Sequence, residues 1–246
     1  MILVTGGAGF IGSEVVRQLI SADRQVVVVD SLTYAGSLAK LESVAGASNF
    51  CFVQEDICHA DAMRRVFAEF GVSQVIHLAA ESHVDRSIDN GMPFIQTNVI
   101  GTANLLEAAR IAWSKSGSTS HRFTHVSTDE VYGDLSEAEP GFTENSPYRP
   151  SSPYSASKAA SDHLVTAWGR THQLPYVITN CSNNYGPFQF PEKLIPLTIA
   201  RCLEGQSIPV YGNGQQIRDW IHVSDHARGV IMAHEKGLNG ESYLLG

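Results

Sequence analysis

The 246-residue chain carries 17 Lys and Arg against 25 Asp and Glu, a formal net charge of -8, so it offers no broad electrostatic footprint for a polyanion such as nucleic acid. Its 43% hydrophobic and 17% charged content fits a globular chain that buries a sizeable core, and argues against intrinsic disorder. No apolar run approaches the ~20 residues of a membrane span, Met1 leads at once into Ile2-Leu3-Val4 without room for a targeting peptide, and Cys51, Cys58, Cys181 and Cys202 contain no C-x-x-C pair, so a soluble protein of the reduced cytoplasm is expected.

Along the chain, short β-branched runs alternate with segments of helical period. Strands are expected at residues 2–5, 25–30, 50–54, 74–78, 123–127 and 176–179, and helices at 10–20, 60–70, 94–113 and 154–172. Such alternation specifies βαβ units and a parallel sheet. Residues 114–120 read as a polar surface loop. After Asn180 the alternation fades into Asn183-Asn184-Tyr185-Gly186-Pro187, a cluster of turn formers that marks the crossing into a second lobe. Helices at 191–204 and 223–235 and a strand at 208–211 are expected there.

Gly6, Gly9 and Gly12 fall between the first strand and the first helix. Glycines at this spacing let the backbone approach a pyrophosphate, and the helix N-terminus attracts its charge. Asp30 ends the second strand 18 residues after Gly12, near the ~20 expected of an acid that grips the ribose hydroxyls. Such an acid repels a 2′-phosphate, which favours NAD over NADP. Phe10 and Ile11 within the motif, and Ala79 after the fourth strand, belong to the same expected cofactor site. Asp56 and Ile57 end the third strand, where an adenine contact and a plain turn are both open readings.

Tyr154 and Lys158 are four apart on a predicted helix and so share a face. An ammonium near the phenol, together with a positive nicotinamide, lowers a tyrosine pKa from about 10 toward working pH. Tyr154 is thus the expected base for an alcohol proton, and Lys158 belongs to the cofactor site as well. Asp129 and Glu130 follow the fifth strand. Neighbouring strand residues point to opposite faces, so both acids reach one substrate only if the chain turns there, which Val131-Tyr132-Gly133 allows. His222 and His226, with Asp225 between them, have no third histidine or cysteine nearby, and no metal is expected.

Thr5-Gly6-Gly7-Ala8-Gly9-Phe10-Ile11-Gly12, Leu32-Thr33-Tyr34-Ala35-Gly36, residues 79–87, Ser127-Thr128-Asp129-Glu130-Val131-Tyr132-Gly133, Tyr154-Ser155-Ala156-Ser157-Lys158 and residues 183–187 together resemble the extended short-chain dehydrogenase/reductases. Within that superfamily the chain closely resembles the dTDP-glucose 4,6-dehydratases. Thr128-Asp129-Glu130 is the discriminating segment, since the related nucleotide-sugar epimerases lack the acid pair. Ser31 departs from the Lys that the family often has after the ribose-binding acid.

The resemblance implies a redox-neutral reaction on dTDP-glucose. Tyr154 takes the 4-hydroxyl proton while hydride passes from C4 to NAD. Glu130 then serves as base at C5, Asp129 as acid for the departing 6-hydroxyl, and hydride returns to C6 to give the 4-keto-6-deoxy sugar. One acid must be protonated while the other is ionised, which like charge and uneven burial can arrange. The resemblance places Thr128 against the substrate's 4-oxygen and assigns Asn183, Lys193 and Arg218 to the nucleotide diphosphate. Ser82 and His83, with Asp85 and Arg86, border the sugar pocket or pack a loop.

The resemblance further implies an α/β fold, a Rossmann-like doubly wound parallel sheet over residues 1–180 that binds NAD and carries the catalytic residues. A smaller substrate-binding lobe follows over 181–246, incomplete because the family usually continues for about a further third of its length. It also implies a homodimer packed through the helices at 94–113 and 154–172. An epimerase or a dehydratase on another NDP-sugar, and a truncated non-catalytic NAD-binding module, are the alternatives.

Overall fold

The computed structural model describes residues 1–114, 120–136, 138–210 and 212–246. In chain order it runs β1 (Ile2–Thr5), α1 (Phe10–Ser21), β2 (Val26–Asp30), β3 (Phe50–Gln54), α2 (Ala60–Glu69), β4 (Gln74–His77), α3 (Val84–Asp89), α4 (Met92–Phe94), α5 (Thr102–Trp113), β5 (Arg122–Thr128), α6 (Pro153–His172), β6 (Tyr176–Cys181), β7 (Asn183–Tyr185), α7 (Leu194–Leu203), β8 (Trp220–His222), α8 (Val223–Lys236) and β9 (Ser242–Leu245). Seven strands pair in parallel in the order β3-β2-β1-β4-β5-β6-β9. This is the doubly wound order, with its topological switch between β1 and β4, where such sheets bind ligands beyond the strand C-termini.

β2 reads Val-Val-Val-Val-Asp with every residue buried, as a central parallel strand covered on both faces must be. One face packs Met63, Phe67, Leu105 and Trp113 of α2 and α5 against Leu3, Val27 and Val75. The other packs Val16 and Leu19 of α1 and Ala227 and Val230 of α8 against Val4, Val28 and Ile76. Each such aliphatic side chain contributes roughly 1.5–3 kcal/mol on burial, and together they fix the strand ends that carry the site.

The second lobe is slight, with β7 and β8 forming a separate parallel pair. Residues 181–246 nevertheless contribute to the main sheet and to one face of it, because β9 pairs with β6 through Cys181 and Leu245 and α8 packs on α1's side.

Two expected elements change. The single helix expected at 94–113 is interrupted by a π-turn at Ile95–Gly101, whose freed Asn98 carbonyl accepts from Thr102 Oγ1 at 2.5 Å and Ser161 Oγ at 2.6 Å. The strand expected at 208–211 is absent among its described residues: Ile208 and Val210 are exposed with no ladder partner beside them, and Tyr211 lies outside the described residues. Most of the expected polar loop, 115–119, is likewise outside them.

Candidate active site

A cleft of about 1010 Å³ opens over the switch point, lined on one side by the β1–α1 turn and the ends of β2 and β3, and on the other by Asn183, Lys193 and Arg218. Gly6 has φ +69°, a left-handed conformation that glycine adopts without strain. A Cβ on Gly12 would lie 2.1 Å from the Gly6 carbonyl oxygen, so only glycine lets α1 start this close to the turn. α1 begins with neither an acid in its first turn nor a side-chain cap, so its N-terminal N–H groups and its dipole suit an anion from the cleft.

Asp30 is 8% exposed, and its Oδ2 accepts from Ala8 N at 2.9 Å while Oδ1 accepts from Leu32 N at 2.8 Å. The acid expected to grip a ribose therefore also ties the glycine turn to the end of β2. Phe10, Ile11, Asp56, Ile57 and Ala79 all line the same side. Asp56 also closes its own turn by accepting from Cys58 N at 2.8 Å, and Ile57 is 3% exposed, packed where a Cβ on Gly101 would meet it at 2.5 Å. Asp56 and Ile57 thus line the cleft while closing the turn that ends β3. This concave wall of glycine turn, open helix N-terminus and strand-end acid fits a dinucleotide.

The capping box of α6, Ser152 with Ser155, sets the helix start that presents Tyr154 and Lys158 to the cleft. Thr128 ends β5 and caps a 3₁₀ turn at Asp129–Tyr132 by accepting from Glu130 N at 3.2 Å. The turn begins at Asp129 itself, earlier than Val131-Tyr132-Gly133, with Gly133 at φ +91° ending it. It places Glu130 on the cleft with Thr128 and Tyr154, but Asp129 is not among the lining side chains. Asp129 accepts from Thr128 Oγ1 at 3.3 Å and lies within electrostatic reach of Asp219.

Burial raises both acids. Asp129 gains a further upward push from Asp219, against hydrogen bonds from Thr128 and the backbone; Glu130 gains one from Asp129, opposed by the positive charges of Lys193 and Arg218. Of the two, Glu130 has positive neighbours, Lys193 and Arg218, opposing the push from Asp129 and Asp134, whereas the charge acting on Asp129 is that of Asp219. Tyr154 is set by its surroundings in the protein alone. Burial first, then the Glu130 charge, hold its phenol well above the ordinary range. Lys158 Nζ donates to Val126 O at 2.8 Å.

On the opposite wall Asn183 stands on β7, Lys193 immediately precedes α7 and Arg218 precedes β8. Ser82 lines the cleft, whereas His83 does not: it caps α3, accepting from Arg86 N at 3.4 Å, and its Nε2 lies 3.5 Å from Glu192. Several lining residues lay outside the expected set. Tyr34 and Phe190 meet edge to face at 5.4 Å, and Arg86 sits 3.9 Å over the Tyr34 ring, joining the loop after β2 to the second lobe. The aromatic of Leu32-Thr33-Tyr34-Ala35-Gly36 was the available signal. His222 caps α8 and His226 Nδ1 lies 2.8 Å from Asn184 Oδ1, and among the described residues no group of three ligating side chains gathers.

The family model described as GDP-mannose 4,6 dehydratase matches residues 3–245. A dTDP-glucose 4,6-dehydratase of Neisseria meningitidis serogroup B is 59% identical over all of this chain and 70% of its own length. Its namesake 1 from Escherichia coli K12 is 56% identical over all of this chain and 71% of its own. The crystal structure of a dTDP-glucose 4,6-dehydratase from Streptomyces venezuelae with NAD and TYD bound superposes with a TM-score of 0.93 at 47% identity, covering all of this chain and 75% of that one.

Proposed function

The chain belongs to the GDP-mannose 4,6 dehydratase family, and we infer that it is a dTDP-glucose 4,6-dehydratase, a hydro-lyase that uses NAD and yields dTDP-4-keto-6-deoxyglucose. The observation that carries this reading is the turn at Asp129–Tyr132, which sets an acid pair beside the Tyr154 phenol, one member on the cleft and the other behind it. NAD, when bound, would supply the acceptor for the C4 hydride, its return to C6, and a positive charge near Tyr154.

The roles of the residues follow from their surroundings. Tyr154 takes the 4-hydroxyl proton, with Thr128 against the same oxygen. The ketone acidifies the C5 hydrogen, which Glu130 removes, Lys193 and Arg218 favouring its ionised form, and gives back to C5 as the hydride returns to C6. Asp129, held toward protonation by burial and Asp219, supplies the proton to the departing 6-hydroxyl and swings to the cleft to do so. Asn183, Lys193 and Arg218 bind the diphosphate, guanidinium and ammonium matching its charge. Ser82 borders the sugar.

Incubation with dTDP-glucose is expected to give the 4-keto-6-deoxy product with no net NADH. Glu130→Gln is expected to lose ~10²-fold or more in dehydration while still oxidising C4. C4-epimerised sugar as the sole product would overturn the reading.

The protein acts as a homodimer. Ile95, Ile100 and Ile111, on the π-turn and α5, are 40–43% exposed, an apolar row on one of the helical faces that the resemblance pairs. The four free cysteines suit a reduced cytoplasm, and among the described residues no helix is long and apolar enough to cross a membrane.

A further inference from the structure

Lys158 is 4% exposed, and the partner of its Nζ is a backbone carbonyl, Val126 O. A buried ammonium needs an opposite charge, because desolvation alone can pull a lysine down by 3–5 units, into the working range of an enzyme. Tyr154, Lys158 and Asp162 are spaced four apart on α6 and so form one stripe from the cleft into the interior. Asp162 is 1% exposed. Its Oδ2 accepts from Ser127 Oγ at 2.8 Å and Tyr148 Oη at 2.9 Å, and its Oδ1 lies 3.1 Å from His125 Nε2.

Glu130 and Asp129 act on the Tyr154 end of the stripe, and the other groups around Lys158 cannot supply the charge. On β6, burial pushes the Cys181 thiol up to about 12, leaving it neutral. On β5 and β4, burial and the Lys158 charge keep His125 and His77 neutral, His125 down to about 4. Tyr154 is held as the phenol by its burial, and Tyr132, which also feels Asp162, is pushed up to about 12 by burial. Burial lowers Lys158, and Asp162 is the foremost influence holding its proton on.

Resting on the reading of Tyr154 and Lys158 as the hydride-transfer pair, we propose that Asp162 is a positioning residue: the buried counter-charge that keeps Lys158 an ammonium behind Tyr154, anchored for that task by Ser127 and Tyr148. A purely structural role would need only a hydrogen-bond acceptor, which asparagine also provides. The two roles differ in charge, and charge is what the test reads.

The chain has five lysines, so the 13Cε resonance of Lys158 is assignable by its loss in Lys158→Met and can be titrated without turnover. Asp162→Asn is expected to lower the Lys158 midpoint by about one unit or more. Tyr148→Phe, which removes one hydrogen bond and no charge, is expected to leave it in place. A wild-type midpoint in Asp162→Asn, or an equal shift in Tyr148→Phe, overturns the proposal. Should Asp162→Asn fail to fold, Asp162→Ser, which likewise removes the charge, must lower the Lys158 midpoint, and no fall is equally fatal. Product analysis of the wild-type chain judges the dehydratase reading separately, since the titration needs no substrate.

Discussion

β2 keeps all five of its residues buried, while α7, across the cleft, buries none. The cofactor wall is a set of backbone positions fixed by close packing: Gly12 against Gly6, Asp30 bonded to Ala8 and Leu32. The opposite wall presents long side chains from a three-residue strand pair and a helix with Leu194 and Leu203 more than half exposed. Recognition of the dinucleotide is therefore a matter of shape built in beforehand, and recognition of the sugar nucleotide a matter of charges carried on flexible stems.

The largest test of this contrast is acid. His125 on β5 and His226 and His234 on α8 are buried in the sheet body, and each is lowered from 6.5 to about 4, by burial first. A histidine depressed in the folded state binds its proton more readily when unfolded. Its contribution is thus complete above about 6.5 and lost as pH falls from there toward 4, by up to ~3 kcal/mol for each residue. Chemical denaturation between pH 7 and 5 should show the whole sheet body losing stability together. A midpoint unchanged over that interval would mean that these histidines are not held neutral by the fold.

Next in size is Gly12→Ala. Its Cβ, 2.1 Å from the Gly6 oxygen, leaves no room for the β1–α1 turn to keep its shape. NAD affinity measured by calorimetry should fall at least ~100-fold, near 2.7 kcal/mol, whereas Gly46→Ala, with nothing within 4 Å of its added carbon, should bind as the parent does. Similar affinities for the two variants would break the claim that this wall works by backbone shape.

The same contrast governs what the sequence disclosed. β1, α1, β2 and their glycines were legible because local propensity, burial pattern and cofactor geometry all demand the same residues there. α6 was legible from its periodicity, yet Asp162 went unnoticed, since an acid in a helix ordinarily reads as solvated and only the three-dimensional stripe below Lys158 reveals it buried. β7 and β8 were missed because Asn183-Asn184-Tyr185 has turn composition, and its strand character comes from pairing with Trp220–His222 far along the chain. Residues 208–210 failed in the opposite sense: β-branched residues supply propensity, but without a neighbouring strand propensity forms no ladder. The acid pair was found in the sequence and a turn there was allowed for, but its start at Asp129, which separates a cleft-facing acid from a recessed one, was not, because that start depends on Thr128 capping Glu130.

The smallest expected effect probes the weaker wall. Leu203 ends α7 and is 83% exposed, so Leu203→Ser removes little apolar surface from the folded chain and should change its unfolding free energy by no more than ~0.5 kcal/mol. Val28→Ser makes the same kind of change in the sheet, where Val28 is fully buried and fills the space beside Gly7. It should cost several kcal/mol, from the lost burial and a hydroxyl without a partner. If Leu203→Ser instead cost 2 kcal/mol or more, α7 would have to be packed against something in solution, and the substrate wall would be as preformed as the cofactor wall. The ratio of the two losses, measured by urea denaturation in the same buffer, thus decides whether the asymmetry of the cleft is a property of the chain by itself.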